Sequence, residues 1–418
     1  MTRWRFVHAA DLHLDTPFAG LARLGEGVPE LLRDASLTAF DNLVNATLHH
    51  GAHALLLAGD LYDGPARGLR AQLRLRDGLQ KLSDNGVRVF LVRGNHDPVA
   101  EGWSAVREWP GGVTEFPADG VTGAPIHVAG REAARVYGIS YARRDTADNL
   151  ARCFPAERGA PFGIGLLHAN AGNNPEHAAY APCTPDDLRA AGIDYWALGH
   201  VHRHQTVLDG APWAVYPGCL QGRSPRPSEQ GPKGAVLVTV DGDRVADTTF
   251  LPLDVVRFEE RTVDAAPFDS VADLADALAE TGRQAVTEAD GRPVILRAGL
   301  TGRSPLHATL RRQPDTLETL RDDLAARDDR VWWDRLDDAT AAPVDREAIR
   351  RRGDFSADLL DRADALRADP GTLRATLRDW AEPADRRLRG LVDALDADTA
   401  RAVLDAAEDE ALDRLEDE

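Results

Sequence analysis

Short apolar runs alternate with amphipathic stretches along the first part of the chain. Arg5–Ala10 (RFVHAA) reads as a buried strand ending at Asp11, and Ala54–Ala58 (ALLLA) as a second ending in Gly59-Asp60. Val87–Val92 (VRVFLV) is a third, followed by Gly94-Asn95-His96. Ser36–His50 and Leu69–Leu82 carry helical apolar spacing between them, with Gly51 as a helix stop after the first. The order β-α-β-α-β predicts a mostly parallel core with crossover helices. Ala134–Tyr141, Gly163–His168, Tyr195–Gly199, Trp213–Tyr216 and Ala235–Val240 are further strands of more hairpin-like character. The pattern changes near Leu253. A helix (Val271–Thr281) and two strands (Pro293–Leu300 and Arg330–Leu336) then predict a small α+β unit. From Pro343 onward Ala, Leu, Arg and Asp recur at helical spacing, so that Leu359, Leu360, Ala363 and Leu366 share one face and Leu388, Leu391, Val392 and Leu395 another. The expected organisation is an α/β domain over residues 1–253, a small α+β cap over 254–342 and a helical region over 343–418.

Charge narrows the function classes. The net charge of -19 argues against a broadly basic nucleic-acid-binding surface, although a local arginine-lined groove remains compatible with it. Lys81 and Lys233 are the only lysines, so arginine carries nearly all the positive charge. That bias fits either a GC-rich coding sequence or an acidic surface adapted to high salt. The three cysteines, Cys153, Cys183 and Cys219, lack C-x-x-C spacing and fit reduced thiols in a cytoplasm. The N-terminus runs straight into a strand, with no signal peptide and no apolar run long enough for a membrane span.

The polar clusters sit just past the C-terminal ends of the expected strands, where open α/β sheets build their sites. In order they are Asp11-Leu12-His13, Gly59-Asp60, Gly94-Asn95-His96-Asp97, His168 and Gly199-His200-Val201-His202. Two adjacent divalent cations need hard oxygen and imidazole ligands and one shared carboxylate that holds them about 3.5–4 Å apart. Asp60 is the natural bridge. Asp11, His13 and His202 suit a first cation, and Asn95, His168 and His200 a second. The glycines before Asp60, Asn95 and His200 would let the backbone turn sharply. His96 is left over beside a ligand, placed to protonate a leaving oxygen, and Asp97 could fix its tautomer. Each motif alone is weak, because a lone D-x-H or G-D is more often a turn. All five in this order, each after an apolar run, are not.

The phrases HAADLHLDTPF, GDLYDG, RGNHDP, AYAPCTPDDL, LGHVHRHQ and YPGCLQGR resemble the calcineurin-like metallophosphoesterase superfamily. Within it they are closest to the SbcD-type DNA-repair nuclease branch and its YhaO-like proteins. The resemblance implies a four-layer α-β-β-α sandwich, two manganese ions, and exonuclease or endonuclease activity on DNA. It places metal ligands on Asp11, His13, Asp60, Asn95, His168, His200 and His202, and the catalytic histidine on His96. It further implies an SbcC-like coiled-coil ATPase docked on the C-terminal helices, and leaves a homodimer open. A phosphodiesterase or phosphatase for small nucleotides, using the same metal centre, is the competing expectation.

Other residues carry weaker signals. Arg93, Arg143, Arg203 and Arg223 lie near the motif loops and are candidates for a substrate groove. Arg67, Arg70, Arg74 and Arg76 read more simply as a solvated helix face paired with acids. Tyr62 and Asp63 would support the site from behind. His8 reads as a buried, hydrogen-bonded strand residue, His177 as a surface histidine, Trp332 and Trp333 as core, and the acidic end AEDEALDRLEDE as a solvated face or frayed tail.

Overall fold

The computed structural model describes residues 3–16, 18, 28–64, 68–101, 104–157, 160–172, 180–313, 315–381 and 386–416, the side chains of 28–30, 386–388 and 416 aside. Arg67 and His177 lie outside the described residues. Two compact units emerge: one of Met1–Arg261, Leu278–Ala298 and Arg321–Leu336, the other of Thr262–Ala277, Gly299–Leu320 and Asp337–Glu418.

In the first unit the expected β-α-β-α-β start is present as β1 (Arg3–Ala9), α1 (Val28–His49), β2 (Ala54–Ala58), α2 (Leu69–Asp84) and β3 (Arg88–Val92). β4 (Val113–Glu115), β5 (Thr122–Val128), β6 (Arg131–Gly138), β7 (Gly163–His168), α3 (Pro185–Ala190), β8 (Tyr195–Gly199), β9 (Gln205–Leu208), β10 (Trp213–Tyr216), β11 (Gly234–Asp241) and β12 (Arg244–Pro252) complete two six-stranded sheets. Their orders are β12-β11-β1-β2-β3-β4 and β5-β6-β7-β8-β10-β9. The hairpin-like reading of the later strands needs correction, because β6, β7, β8 and β10 pair in parallel. The connections between them cross over the sheet, and short apolar runs alone do not reveal strand direction.

Strand alternation explains the layering. Val7 and Ala9 of β1, Leu55 and Leu57 of β2, and Val89 and Leu91 of β3 face one way and pack with Phe40, Leu43, Leu75 and Leu79 of the two helices. The alternate residues Trp4, Phe6, Leu56, Phe90 and Val92 pack against Ile126, Val136, Ile164, Leu166 and Tyr195 of the second sheet. Leu167, Trp196, Leu198 and Tyr216 face outward from that sheet and pack with Leu188 and Phe154. The result is the expected α-β-β-α sandwich.

His8 sits between the sheets, fully buried, with Nδ1 3.1 Å from the Tyr195 hydroxyl and Nε2 3.2 Å from the Leu198 carbonyl. Burial lowers its pKa from 6.5 to about 3. Between those values the unfolded chain binds a proton that the folded chain refuses, so stability is lost as pH falls through this window, by roughly 1.4 kcal/mol per pH unit. Urea titrations between about pH 6 and 4 should show the wild type losing stability more steeply than His8→Gln; equal slopes would contradict this account.

β13 (Arg257–Asp264), α4 (Val271–Glu288), β14 (Val294–Thr301), α5 (His307–Arg312), α6 (Thr316–Arg327) and β15 (Val331–Asp338) follow, with a three-stranded sheet ordered β13-β14-β15. β13 carries no apolar run, because charged residues interrupt its sequence RFEERTVD. Trp333 is buried and Trp332 half-buried. The chain ends in α7 (Arg346–Arg352), α8 (Phe355–Ala368), α9 (Pro370–Ala381), α10 (Arg386–Asp393) and α11 (Ala397–Glu416). Leu360 and Ala363 are buried as expected, and Leu360 clusters with Ile349, Ala357 and Leu412. On the second expected face Leu391 is exposed, while Val392 and Leu395 are half-buried. The acidic end is more than a solvated tail: Glu408 is buried and pairs with Arg346 and Arg367, while Asp409 and Asp413 pair with Arg303.

Candidate metal centre

Parallel pairing of β1 and β2 continues beyond the strand ends. Asp11 N donates to Gly59 O at 3.1 Å, His13 N to Asp60 O at 3.1 Å, and Leu14 N to Leu61 O at 3.0 Å. These bonds lay the D-x-H loop alongside the G-D loop. The loop after β3 joins them, with His96 N donating to Asp60 Oδ1 at 2.9 Å. From the second sheet, His200 N donates to Asp11 Oδ2 at 3.0 Å. Asp11, His13, Asp60 and His200 hold φ values of 50, 40, 50 and 105°, a left-handed region that non-glycine residues avoid unless their surroundings enforce it. Gly59 also turns left-handed, at φ 89°. Gly94 and Gly199 do not. Their need is close approach: a Cβ would lie 2.2 Å from Asp60 Oδ1 at the first and 1.8 Å from Ala58 O at the second.

The seven expected ligand positions converge. His168 Nε2 is 3.4 Å from Asp60 Oδ2 and 2.9 Å from Asn95 Oδ1. His13 Nε2 is 3.8 Å from Asp60 Oδ2, and His202 Nε2 is 3.8 Å from Asp11 Oδ1. The His13 ring lies 5.2 Å from that of His202, and the His168 ring 5.3 Å from that of His200. Asp11, His13 and His202 bring their donor atoms within reach of one ion, and so do Asp11, Asp60 and His168. All are buried except the half-buried His202.

The donor chemistry fits cations. Among the described residues, both ring nitrogens of His13 are buried without a hydrogen-bond partner. Burial and the Arg223 guanidinium hold its pKa well below the ordinary value, so the imidazole is neutral and offers a lone pair. His168 Nδ1 bonds the Ala58 carbonyl at 2.9 Å, which turns Nε2 toward Asn95 and Asp60. Neutral Nε2, Asn95 Oδ1 and Asp60 Oδ2 would all present lone pairs to one another, an arrangement that needs positive charge between them. In the metal-free chain a proton meets that need: burial disfavours it, but the Asp60 carboxylate raises the His168 pKa to about 9. Cation binding should therefore release protons.

His96 lies at the mouth, half-buried, its ring 4.9 Å from that of His13. Its Nδ1 meets Asp63 Oδ1 at 2.5 Å. The expected partner, Asp97, does something else: it is fully buried and accepts from Leu61 N at 3.1 Å and Gly94 N at 2.9 Å, bracing the loop. Asp63, read as support, holds the position given to Asp97. Arg93 also leaves the expected groove. It is buried, donates to Glu115 Oε1 at 2.7 Å, lies 3.4 Å from Asp97 Oδ2, and sits over the Tyr62 and Trp109 rings. Arg143 and Arg203 are exposed. Arg223 is at the site, 3.3 Å from Asp63 and 3.6 Å from Glu229. Arg70, Arg74 and Arg76 pair with Asp34, Asp41 and Asp77 on the surface. Glu229 went unread. It is buried and accepts from His202 Nδ1 at 2.7 Å. Burial opposes its charge, but His202 and Arg223 bring its pKa to about 2.

A sequence profile described as calcineurin-like phosphoesterase matches residues 5–204, and one described as the middle domain of metallophosphoesterase YhaO matches residues 258–341. The chain is 34% identical over 343 residues to the uncharacterized metallophosphoesterase YhaO of Bacillus subtilis, covering 81% of this chain and 83% of that protein. The chain belongs to the calcineurin-like metallophosphoesterases. As a member of that family it is a metal-dependent phosphoester hydrolase. It is also similar to two proteins described as DNA double-strand break repair protein Mre11. That of Haloferax volcanii is 31% identical over 307 residues, with 71% of this chain and 61% of that protein covered. That of Aeropyrum pernix is 28% identical over 231 residues, with 52% of this chain and 53% of that protein covered. The chain thus spans a little over half the length of these two. Among the described residues no helix is long and apolar enough to cross a membrane.

Proposed function

We propose that this metallophosphoesterase is a DNA nuclease, hydrolysing phosphodiester bonds with two manganese ions held by Asp11, His13, Asp60, Asn95, His168, His200 and His202. The convergence of these donors around the His13 ring, whose nitrogens make no hydrogen bond among the described residues, carries the reading. The Mre11-like relatives support DNA as the substrate. When bound, the cation pair supplies Lewis acidity to the phosphate and lowers the pKa of a water. The protein does the rest. Asp60 would offer its carboxylate to the cations, His96 holds a proton for the leaving oxygen, and Asp63 holds Nδ1, so that proton transfer falls to Nε2. Arg223 balances charge beside the reacting phosphate, and Arg143 and Arg203 offer exposed contacts farther along the strand. The module of residues 254–342 and the helices of 343–418 extend the catalytic domain, and the helices would dock an SbcC-like coiled-coil ATPase.

Full-length protein with manganese should degrade linear DNA, and a chelator should abolish the reaction. Hydrolysis of cyclic nucleotides or small phosphodiesters with no degradation of duplex or single-stranded DNA would remove the nuclease reading.

A further inference from the structure

A chain of charged pairs runs along one side of the candidate centre. His96 Nδ1 meets Asp63 Oδ1 at 2.5 Å, and Asp63 Oδ2 meets Arg223 Nη1 at 3.3 Å. Arg223 Nη2 is 3.6 Å from Glu229 Oε1, which accepts from His202 Nδ1 at 2.7 Å. The His13 ring lies between the two ends, 4.9 Å from His96 and 5.2 Å from His202. Glu229 is bound on its other side too: Oε2 accepts the Arg223 backbone N–H at 2.7 Å and lies 4.0 Å from Cys219 Sγ. Lys233 Nζ secures the same turn from below, donating to the carbonyls of His202 at 3.1 Å and Ser228 at 2.7 Å.

We propose that Glu229 is a positioning residue for one cation: its carboxylate holds the proton of His202 on Nδ1, so that Nε2 faces Asp11 as a lone-pair donor, and Arg223 clamps that carboxylate. This rests on the two-cation reading of the site. An ionised carboxylate can only accept, so the His202–Glu229 bond requires a proton on Nδ1. Nε2 then points to Asp11 Oδ1 at 3.8 Å, within reach of the ion that Asp11 and His13 would share. A carboxylate behind a ligating imidazole fixes ring orientation and raises basicity, and its loss costs about 10–100-fold in metal affinity. Arg223 touches both Asp63 and Glu229, so the same guanidinium also steadies the partner of His96.

The test is manganese titration of metal-depleted full-length protein, with nitrogen NMR of the histidine rings. Wild type should take up two ions and show His202 protonated on Nδ1. Glu229→Gln should weaken one site by about 10–100-fold and leave the other unchanged. Glu229→Asp, which keeps the charge with a shorter reach, should give a smaller loss. Two unaltered affinities in a folded Glu229→Gln chain would overturn the proposal. So would Nε2 protonation of wild-type His202, a readout that needs no variant to fold. Failure of the wild type to bind two ions would overturn the cation-pair reading itself.

Discussion

Asp60→Asn is expected to strip the chain of its cation pair and lower phosphodiester hydrolysis by more than about a hundredfold, the upper range for loss of a residue that merely supports a ligand. Asp60 is no supporting residue. Its Oδ2 faces His168 at 3.4 Å and His13 at 3.8 Å, one from each expected ligand group, while Oδ1 accepts the His96 backbone N–H at 2.9 Å. Asparagine fills the same volume but brings a neutral amide where two imidazoles converge, so a folded chain without tight metal is the outcome. The metal-free variant offers a second readout. Burial alone would lower the His168 pKa, and the Asp60 charge holds it at about 9. Without that charge the value should fall, visible as an NMR titration shifted to lower pH. Two tightly bound manganese ions in Asp60→Asn would remove the bridging role.

Particular residues show what the sequence could reveal. The placement of Asp11, His13, Asp60, Asn95, His168, His200 and His202 at one edge is legible because each follows an apolar run, and parallel strands deliver their C-terminal ends to that edge. Local adjacency misled the reading of Asp97. Neighbouring residues in a tight loop point apart, so Asp97 turns inward to the Leu61 and Gly94 amides, and His96 finds Asp63, 33 positions earlier in the chain. Arg93 misled in a similar way: its place at a strand end looked substrate-facing, but Glu115 and the Trp109 ring draw it inward. Glu229 had no sequence signal. It sits in a short Pro-Ser-Glu turn, 27 residues from His202, and only the folding of that turn under the His202 loop makes it a partner. Strand direction in the second sheet depends on crossovers, which the apolar runs do not encode.

His96→Ala should lower kcat by about 10²–10⁴, the usual contribution of a positioned proton donor, while two manganese ions still bind. The split is expected because His96 reaches the site through its backbone bond to Asp60, which alanine keeps, and because its ring packs against His13 without belonging to the expected ligand set. Asp63→Asn separates proton supply from mere presence of the ring. Burial pulls the His96 pKa down, and the Asp63 hydrogen bond and charge, with Asp60, more than offset it, leaving the value raised. Without Asp63 that hydrogen bond and charge are lost, and the His96 pKa should fall. A general acid works only while protonated, so its rate contribution fades as pH rises through its pKa. The alkaline limb of the pH–rate profile should therefore move to lower pH in Asp63→Asn, with a smaller loss at acidic pH than in His96→Ala. A limb that stays in place would mean the leaving oxygen takes its proton from elsewhere, and an undiminished kcat in His96→Ala would leave His96 no part in the reaction.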